Sequence, residues 1–383
     1  MSQEAQRITA SLHNLFAGDA LSMPVHWFYR TSDILKYFPP YGIERMEPAP
    51  EDHPSSIMSL HSTESGGRRS ASKSVKHHIP FPNRQNDALR GEVVGDIILK
   101  GRRELWGGNR THYHHNMLAG DNTLNAYCAR LMIRHLNENG GYDSSIWLKQ
   151  YVEFMMSDPP QHPDTYAESY HRGFFSNLKN GMPITRCGAV THDTASMGAL
   201  VTIAPLAFAL FKEHTLEQAQ DICCAHVELT HPDDFLQCVV RSYVELLYSL
   251  LNICPSSEDS SAQNFVMAIL SATDVIPGTK LTELLQRDRG DATVVGGLYS
   301  TACYITDSWP SVCYLAAKYH QDVNKALLIN TNLGGENAHR GSVLGSIVGL
   351  TTGRQGGDML YEQLLHKESI SAEIDQFVQT FSN

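Results

Sequence analysis

The run Asn332-Leu333-Gly334-Gly335-Glu336-Asn337-Ala338-His339-Arg340-Gly341-Ser342-Val343-Leu344-Gly345-Ser346-Ile347-Val348-Gly349 decides how this chain is read. Two glycines open a polar loop that feeds a helix whose own glycines recur every fourth residue. That spacing puts Gly341, Gly345 and Gly349 on one helical face, where missing side chains let a second backbone come close. The same layout sets Glu336, Asn337 and His339 at the helix mouth. Free N–H groups and the positive dipole end there favour anionic or oxygen-rich ligands. The stretch therefore predicts a polar site backed by a tightly packed helix.

Elsewhere the helical period dominates and strand alternation is nearly absent. Leu124, Tyr127, Cys128, Leu131, Met132 and His135 form one apolar stripe, with Asp121 or Asn122 as the cap and Gly140-Gly141 as the stop. Asp143 and Ser144 open a second helix, which Pro159-Pro160 ends. Thr215 with Gln218 spells a capping box, and Thr230-His231-Pro232 puts proline in a first turn. Similar segments predict helices over roughly 5–21, 86–103, 164–180, 195–213, 232–252, 258–273, 292–305, 309–319, 321–330 and 356–381. The fold class expected is all-α. No low-complexity linker divides the chain, so a single compact multi-helix domain over residues 1–383 is favoured.

Composition narrows the partners. A chain of 383 residues that is 42% apolar can bury a large core. Its net charge of −11 argues against nucleic acid or an anionic membrane as the main partner. No run of 18 apolar residues and no basic-apolar-small leader occurs, and Met1-Ser2-Gln3-Glu4-Ala5 is polar, so a soluble cytoplasmic protein is expected. The eight cysteines include Cys223-Cys224 but no Cys-x-x-Cys pair, and read as buried reduced thiols.

One region breaks the period. Residues 39–84 carry Pro48, Pro50, Pro54, Pro80 and Pro82 with Gly66-Gly67 and His77-His78, a long excursion of the kind used for lids or binding loops. Its basic cluster of Arg68, Arg69, Lys73 and Lys76 would attract a phosphate or serve as a solvated loop.

Four polar clusters interrupt otherwise apolar helices: Gly18-Asp19-Ala20-Leu21 running on to His26, Gly120-Asp121-Asn122-Thr123, Thr191-His192-Asp193-Thr194, and the Glu336 loop. Each sits at a predicted helix end. Each has a local reading, with Asp121 and Asp193 as N-caps. Together they can converge on one polar pocket, the usual way a helical fold builds a site.

In this combination and order the chain resembles the ADP-ribosylglycohydrolase superfamily. The motifs are Gly18-Asp19-Ala20-Leu21, Gly120-Asp121-Asn122-Thr123, Ile203-Ala204-Pro205-Leu206, Leu229-Thr230-His231-Pro232-Asp233, and Asn332-Leu333-Gly334-Gly335 with its glycine-rich helix. The resemblance spans roughly Ile8 to Gly353. It implies an all-α domain with a central cleft, in which two magnesium ions held by carboxylates help cleave a glycosidic bond at C1″ of ADP-ribose. The implied partner is an ADP-ribose-like small molecule or an ADP-ribosylated substrate.

Departures from the family pattern fall at the ligand positions. Family enzymes carry Thr-Asp-Asp-Thr where this chain has Gly120-Asp121-Asn122-Thr123, and Gly-Gly-Asp-x-Asp-Thr where it has Gly334-Gly335-Glu336-Asn337-Ala338-His339. A glutamate of the extended first motif is His26 here, and the diphosphate-binding Gly-Asn-Gly with its arginine falls near Met197-Gly198 and Thr202. The pattern is closest to the crystallin-J and selenoprotein J-like branch. Asp121, Asn122 and Glu336 are expected to hold at most one magnesium ion. His26, with Asp19 and Glu336, is the expected catalytic set, and His192, Asp193, Asn337, His339, Gly334 and Gly335 the expected substrate-binding set. Two functions follow: a hydrolase of an N- or O-glycosidic bond to ADP-ribose or a related ribosyl ligand, with an altered, metal-poor site, or an inactive crystallin-J-like structural or ligand-binding protein. His112, His114 and His115 read either as an exposed turn or as nitrogen ligands for a softer metal.

Overall fold

Two helices that are buried all round set the architecture: α1 (Gln3–Ser22), buried at every residue from Ile8 to Ser22, and α14 (Asn337–Thr352), buried at every residue from Asn337 to Leu350. The computed structural model describes residues 1–58, 93–107, 110–191, 193–253, 258–287, 289–353 and 359–382. Around the central pair lie α2 (Thr31–Tyr37), α3 (Leu124–Asn139), α4 (Ser144–Met155), α5 (Ser169–Lys179), α6 (Ile203–Leu210), α7 (Leu216–Glu228) and α8 (Asp234–Asn252). The others are α9 (Glu258–Ser271), α10 (Leu281–Gln286), α11 (Asp291–Val294), α12 (Ile305–Lys318), α13 (Val323–Leu333) and α15 (Lys367–Phe381). Among the described residues no strand forms; pairing is limited to isolated bridges such as Ser196 with Tyr304. The fold is all-α.

The glycine face of α14 lies where its spacing predicts. A methyl group on Gly345 would stand 2.0 Å from the Asn14 carbonyl oxygen, and one on Gly349 would stand 2.5 Å from that of Ala10. The approach is mutual, since a methyl on Gly18 would stand 2.2 Å from the Gly341 oxygen. Ser11 Oγ, donating to the Ser346 carbonyl at 2.8 Å, and Arg7 Nε, donating to that of Leu350 at 2.7 Å, stitch the seam. Outside it, α13 flanks α14, α7 and α8 form an antiparallel pair, and α15 closes over α3.

Local signals are met where the chain supplies its own caps. Asp143 accepts from the N–H groups of Ser145 and Ile146, Thr215 and Gln218 make the reciprocal capping box, and Gly140 ends α3 at φ +67°. Other expectations are corrected. Neither Asp121 nor Asn122 caps α3, whose N-cap is Thr123. Pro232 precedes the N-cap Asp233 instead of entering the first turn of α8. The helix predicted over 86–103 is not formed in its described part. Leu99 and the flanking Gly95 and Gly101 take positive φ, and a short 3-10 turn follows at Arg103–Trp106. The segment 292–305 keeps only the single turn of α11 because Gly296, at φ +108°, breaks away. Segment 195–213 divides into a 3-10 turn at Met197–Leu200 and α6.

Among the described residues no helix is long and apolar enough to cross a membrane. Seven cysteines are described, all free thiols, and Cys238 alone of these is exposed. Of the excursion over 39–84, Pro48, Pro50 and Pro54 are described, while its basic cluster lies outside the described residues.

Candidate functional site

Two helix N-termini, those of α3 and α5, are completed by three carboxylates borrowed from elsewhere in the chain, and these meet around one pocket. Asp164 Oδ2 accepts from Leu124 N–H at 2.7 Å, the first residue of α3. Asp193 accepts from the N–H of Ser169, the first residue of α5, and from its hydroxyl. Asp19, in the last turn of α1, accepts from Thr123 N–H at 2.7 Å, Thr123 Oγ1 at 2.6 Å and Asn122 Nδ2 at 3.0 Å. A carboxylate at a helix start satisfies its orphan donors and complements the dipole. Here those charges are spent inside the fold, on the floor of the site.

On that floor stands a chain of buried rings and carboxylates. His114 Nδ1 lies 2.8 Å from Asp164 Oδ1, and His114 Nε2 lies 2.8 Å from His26 Nδ1. The other nitrogen of His26 faces Glu336 Oε1 at 3.5 Å. Glu336 also meets His339 Nδ1 and accepts from Trp27 Nε1. His339 in turn is 3.8 Å from Glu168 Oε2, to which Asn125 Nδ2 donates at 2.8 Å. His26, His114, Asn125, Tyr166, Glu168 and His339 line the pocket. Gly198 leaves the room it needs, since a methyl there would stand 2.7 Å from both Asn125 Nδ2 and Glu168 Oε2.

Backbone geometry holds the cluster to the α1–α14 seam. His26 follows α1 through a 3-10 turn at Met23–Val25, and Glu336 is the N-cap of α14. Gly334 and Gly335, at φ +70° and +66°, bring the loop against Phe28 and Thr301, where a methyl on either would stand 2.2 Å from a carbonyl oxygen. Trp27 is itself left-handed at φ 62°, held by Trp27 N–H donating to the Gly335 carbonyl at 2.7 Å. A bulky residue in that conformation is costly and persists where surroundings over-determine it.

Burial and charge divide the groups. Burial drives the His26 imidazole down to about 3, outweighing the Glu336 carboxylate, so the ring is neutral. Burial would raise Glu336, yet His339 holds it well below the usual carboxylate range. His339 resists burial and is pushed upward by Glu336 and Glu168. Burial pushes Glu168 up to about 8 against the pull of His339, with Glu336 and Asp193 adding to the rise. Asp164, despite burial, is brought down to about 2 by His114 and by backbone N–H groups. Burial also raises Asp19, against its hydrogen bonds from Thr123 and Asn122.

The structure gathers some of the expected site residues and separates others. His26, Glu336 and His339 are together. Asp19 lies one layer below, engaged by Thr123 and Asn122, and Asp193 sits under α5 beside Glu168. Asn337 turns its amide to the carbonyls of Thr331 and Val25, and Gly334 and Gly335 serve the loop's backbone packing. His192 lies outside the described residues. The set Asp121, Asn122 and Glu336 is not assembled: Asp121 accepts from Leu118 N–H and faces His366, while Asn122 donates to Asp19 and to the Phe16 carbonyl. His112 and His114 are buried, not an exposed turn. Sequence reasoning missed Asp164, Glu168, Trp27, Asn125 and Tyr166. Two acids four residues apart at the edge of a predicted helix were the available signal.

The sequence profile of the ADP-ribosylglycohydrolase family matches residues 1–382. No curated protein matches the chain. A solved structure described as an ADP-ribosylglycohydrolase-related protein complex shares the fold with a TM-score of 0.56 and 15% identity, covering 99% of this chain and 99% of that one. Nearly every residue of the sequence falls within the profile, so the chain belongs to the ADP-ribosylglycohydrolase family.

Proposed function

We propose that the chain is a hydrolase that cleaves an N- or O-glycosidic bond to ADP-ribose or a related ribosyl ligand, with Glu168 as proton donor and the cluster of His26, Glu336 and His339 holding the attacking water. The observation that carries this reading is the pair of buried carboxyl groups, Glu168 and Glu336, that both face Nδ1 of the His339 imidazole at the pocket. Glycoside hydrolysis through an oxocarbenium-like state needs two such groups. One protonates the departing atom as its bond to C1″ breaks. The other positions the water whose oxygen forms the new bond to C1″ and whose proton passes to the Glu336 carboxylate. Burial pushes the Glu168 carboxyl up to about 8, so it holds a proton near neutral pH and the acid role falls to it.

The residues do not fit the pair of magnesium ions that the family implies. Magnesium wants a near-octahedral shell of oxygens, and two adjacent dications need several carboxylates between them. At the corresponding positions this chain offers Glu336 flanked by two imidazoles and an indole N–H, while Asp121 and Asn122 are engaged elsewhere. No step is therefore routed through magnesium.

The test is release of ADP-ribose from ADP-ribosylated arginine, serine and asparagine-type model compounds by the full chain, in parallel with calorimetry for ADP-ribose. Turnover or micromolar binding that is lost in Glu168→Gln and Glu336→Gln is expected. A folded chain with neither sinks the hydrolase reading.

A further inference from the structure

Three buried ligand atoms meet behind the pocket without an aligned hydrogen bond: His26 Nε2, Glu336 Oε1 and His339 Nδ1, all within 4.8 Å of one another. Their surroundings fix how they are turned. Asp164 only accepts, so the His114 Nδ1 that faces it at 2.8 Å carries a proton. His114 Nε2 and His26 Nδ1, 2.8 Å apart, share one hydrogen bond, which turns the His26 ring so that its Nε2 faces Glu336 Oε1 3.5 Å away. On the carboxylate's other side Trp27 Nε1–H occupies Oε2, which leaves Oε1 for the interior. Buried ligand atoms without an aligned partner are costly, and one cation between these three would satisfy all of them.

We propose that His26, Glu336 and His339 form a site for one divalent transition-metal ion of the zinc class. The donor set decides the class. Two imidazoles and one carboxylate suit zinc, cobalt or nickel, whereas magnesium and calcium seek oxygen. Two of the three ligands are oriented from behind in the manner of metal sites: His26 by His114, itself held by Asp164, and Glu336 by Trp27. Three protein ligands leave a fourth position, and His26 and His339 line the pocket together with Glu168, so that position opens toward it. Structural zinc sites are closed by four protein ligands; an open one takes water or substrate. The inference rests on the hydrolase reading only in naming what holds the attacking water. His114 and Asp164 are positioning residues, since they touch the ion's ligand and not the ion.

The experiment strips the full chain with chelator and titrates it separately with Co²⁺, Zn²⁺ and Mg²⁺, reading stoichiometry by calorimetry and coordination by the visible absorption of Co²⁺. One Co²⁺ per chain is expected, with absorption bands that Zn²⁺ abolishes and Mg²⁺ leaves in place even at roughly 100-fold excess. The wild-type spectrum decides first, so a variant that fails to fold does not leave the matter open. His26→Gln and His339→Gln should lose the bands, and His114→Ala, which keeps every ligand, should weaken binding about 10- to 100-fold. His214→Ala, at an exposed histidine, should bind as the wild type does. A wild type without Co²⁺ bands, bands that survive in the His26→Gln, His339→Gln double variant, or Mg²⁺ bound as tightly as Zn²⁺ would each overturn the proposal. ADP-ribose release measured on the same samples separates the two ideas: metal without turnover removes the hydrolase reading alone, and turnover without metal removes this one.

Discussion

Gly345→Ala tests the seam on which the site depends. The new methyl carbon would lie 2.0 Å from Asn14 O and 2.5 Å from Asn14 C. Carbon–oxygen contacts settle near 3.3 Å, so the two helices must part by roughly 1.3 Å at that crossing. No side chain can rotate aside, because the obstacle is backbone. Overpacking a core costs about 1–3 kcal/mol, and a gap of 0.5–1 Å forfeits about a quarter to a half of each dispersion contact on either side. Alanine's better helix propensity returns about 1 kcal/mol. Over the tens of contacts along the seam, at about 0.1–0.2 kcal/mol each, that forfeit adds about 2 kcal/mol, so the expected net loss is about 2–4 kcal/mol. With about 2.1 cal/mol/K per residue over 383 residues, 3 kcal/mol moves Tm by only about 4 °C, so the urea midpoint is the sharper assay. Gly141→Ala, where a methyl meets nothing within 4 Å, is the control and should stay within about 0.5 kcal/mol. Because His26 follows α1 and Glu336 begins α14, the same parting should also weaken Co²⁺ or ADP-ribose binding. A Gly345→Ala chain with the wild-type urea midpoint and unchanged binding would refute the seam as the element that fixes the site.

Three further outcomes are expected. Glu168→Gln keeps the shape of the pocket and the contact to Asn125 but removes the proton, so kcat for ADP-ribose release should fall about 10²- to 10⁴-fold while ligand affinity holds; unchanged kcat would take the acid role from Glu168. Asp164 has its carboxyl lowered from 3.8 to about 2 in the folded chain, so its contribution is present above the unfolded value and lost as pH falls from about 4 toward 2. That contribution is about 2 kcal/mol, and the stability gap between wild type and Asp164→Asn in urea should narrow by about that much on acidification. A gap that stays constant with pH would mean Asp164 acts only as a cap. Arg340→Met removes a buried guanidinium that donates to Asn330 Oδ1 at 2.6 Å and to the Gly334 carbonyl at 2.8 Å, and should cost about 3 kcal/mol, read as a shift in urea midpoint.

The seam was legible because close backbone approach leaves a signature in residue type alone. Glycines at every fourth position in an apolar run have few other uses, and α14 proves buried on all sides. The all-α class was legible for the related reason that a 3.6 period repeats along most of the chain. Helix limits were harder wherever the decisive quantity was a backbone angle. Gly95, Gly101 and Gly296 stand in segments with acceptable apolar spacing, and only their positive φ shows that the helix stops.

The site was half legible, and the boundary follows from how its groups are held. Glu336 and His339 share one helical turn, so their proximity is written in the sequence. Asp164, His114 and His26 come from three separate segments, and no spacing rule links them. The N-caps misled for the same reason: Asp121, adjacent to α3, reads as its cap, yet the carboxylate that accepts from Leu124 N–H is Asp164, forty residues on. Borrowed caps have a structural consequence. A carboxylate supplied from within a helix's own sequence could be placed on the surface, but one supplied from another segment must be buried between them. Asp19, Asp164 and Asp193 are buried in this way, each at the start of a helix or the residue before it. Their negative charge makes the interior they share unfavourable for a further anion and favourable for a cation. Without an ion His339 answers that field by holding a proton beside Glu336, and a divalent ion bound between His26, Glu336 and His339 displaces that proton and answers it instead.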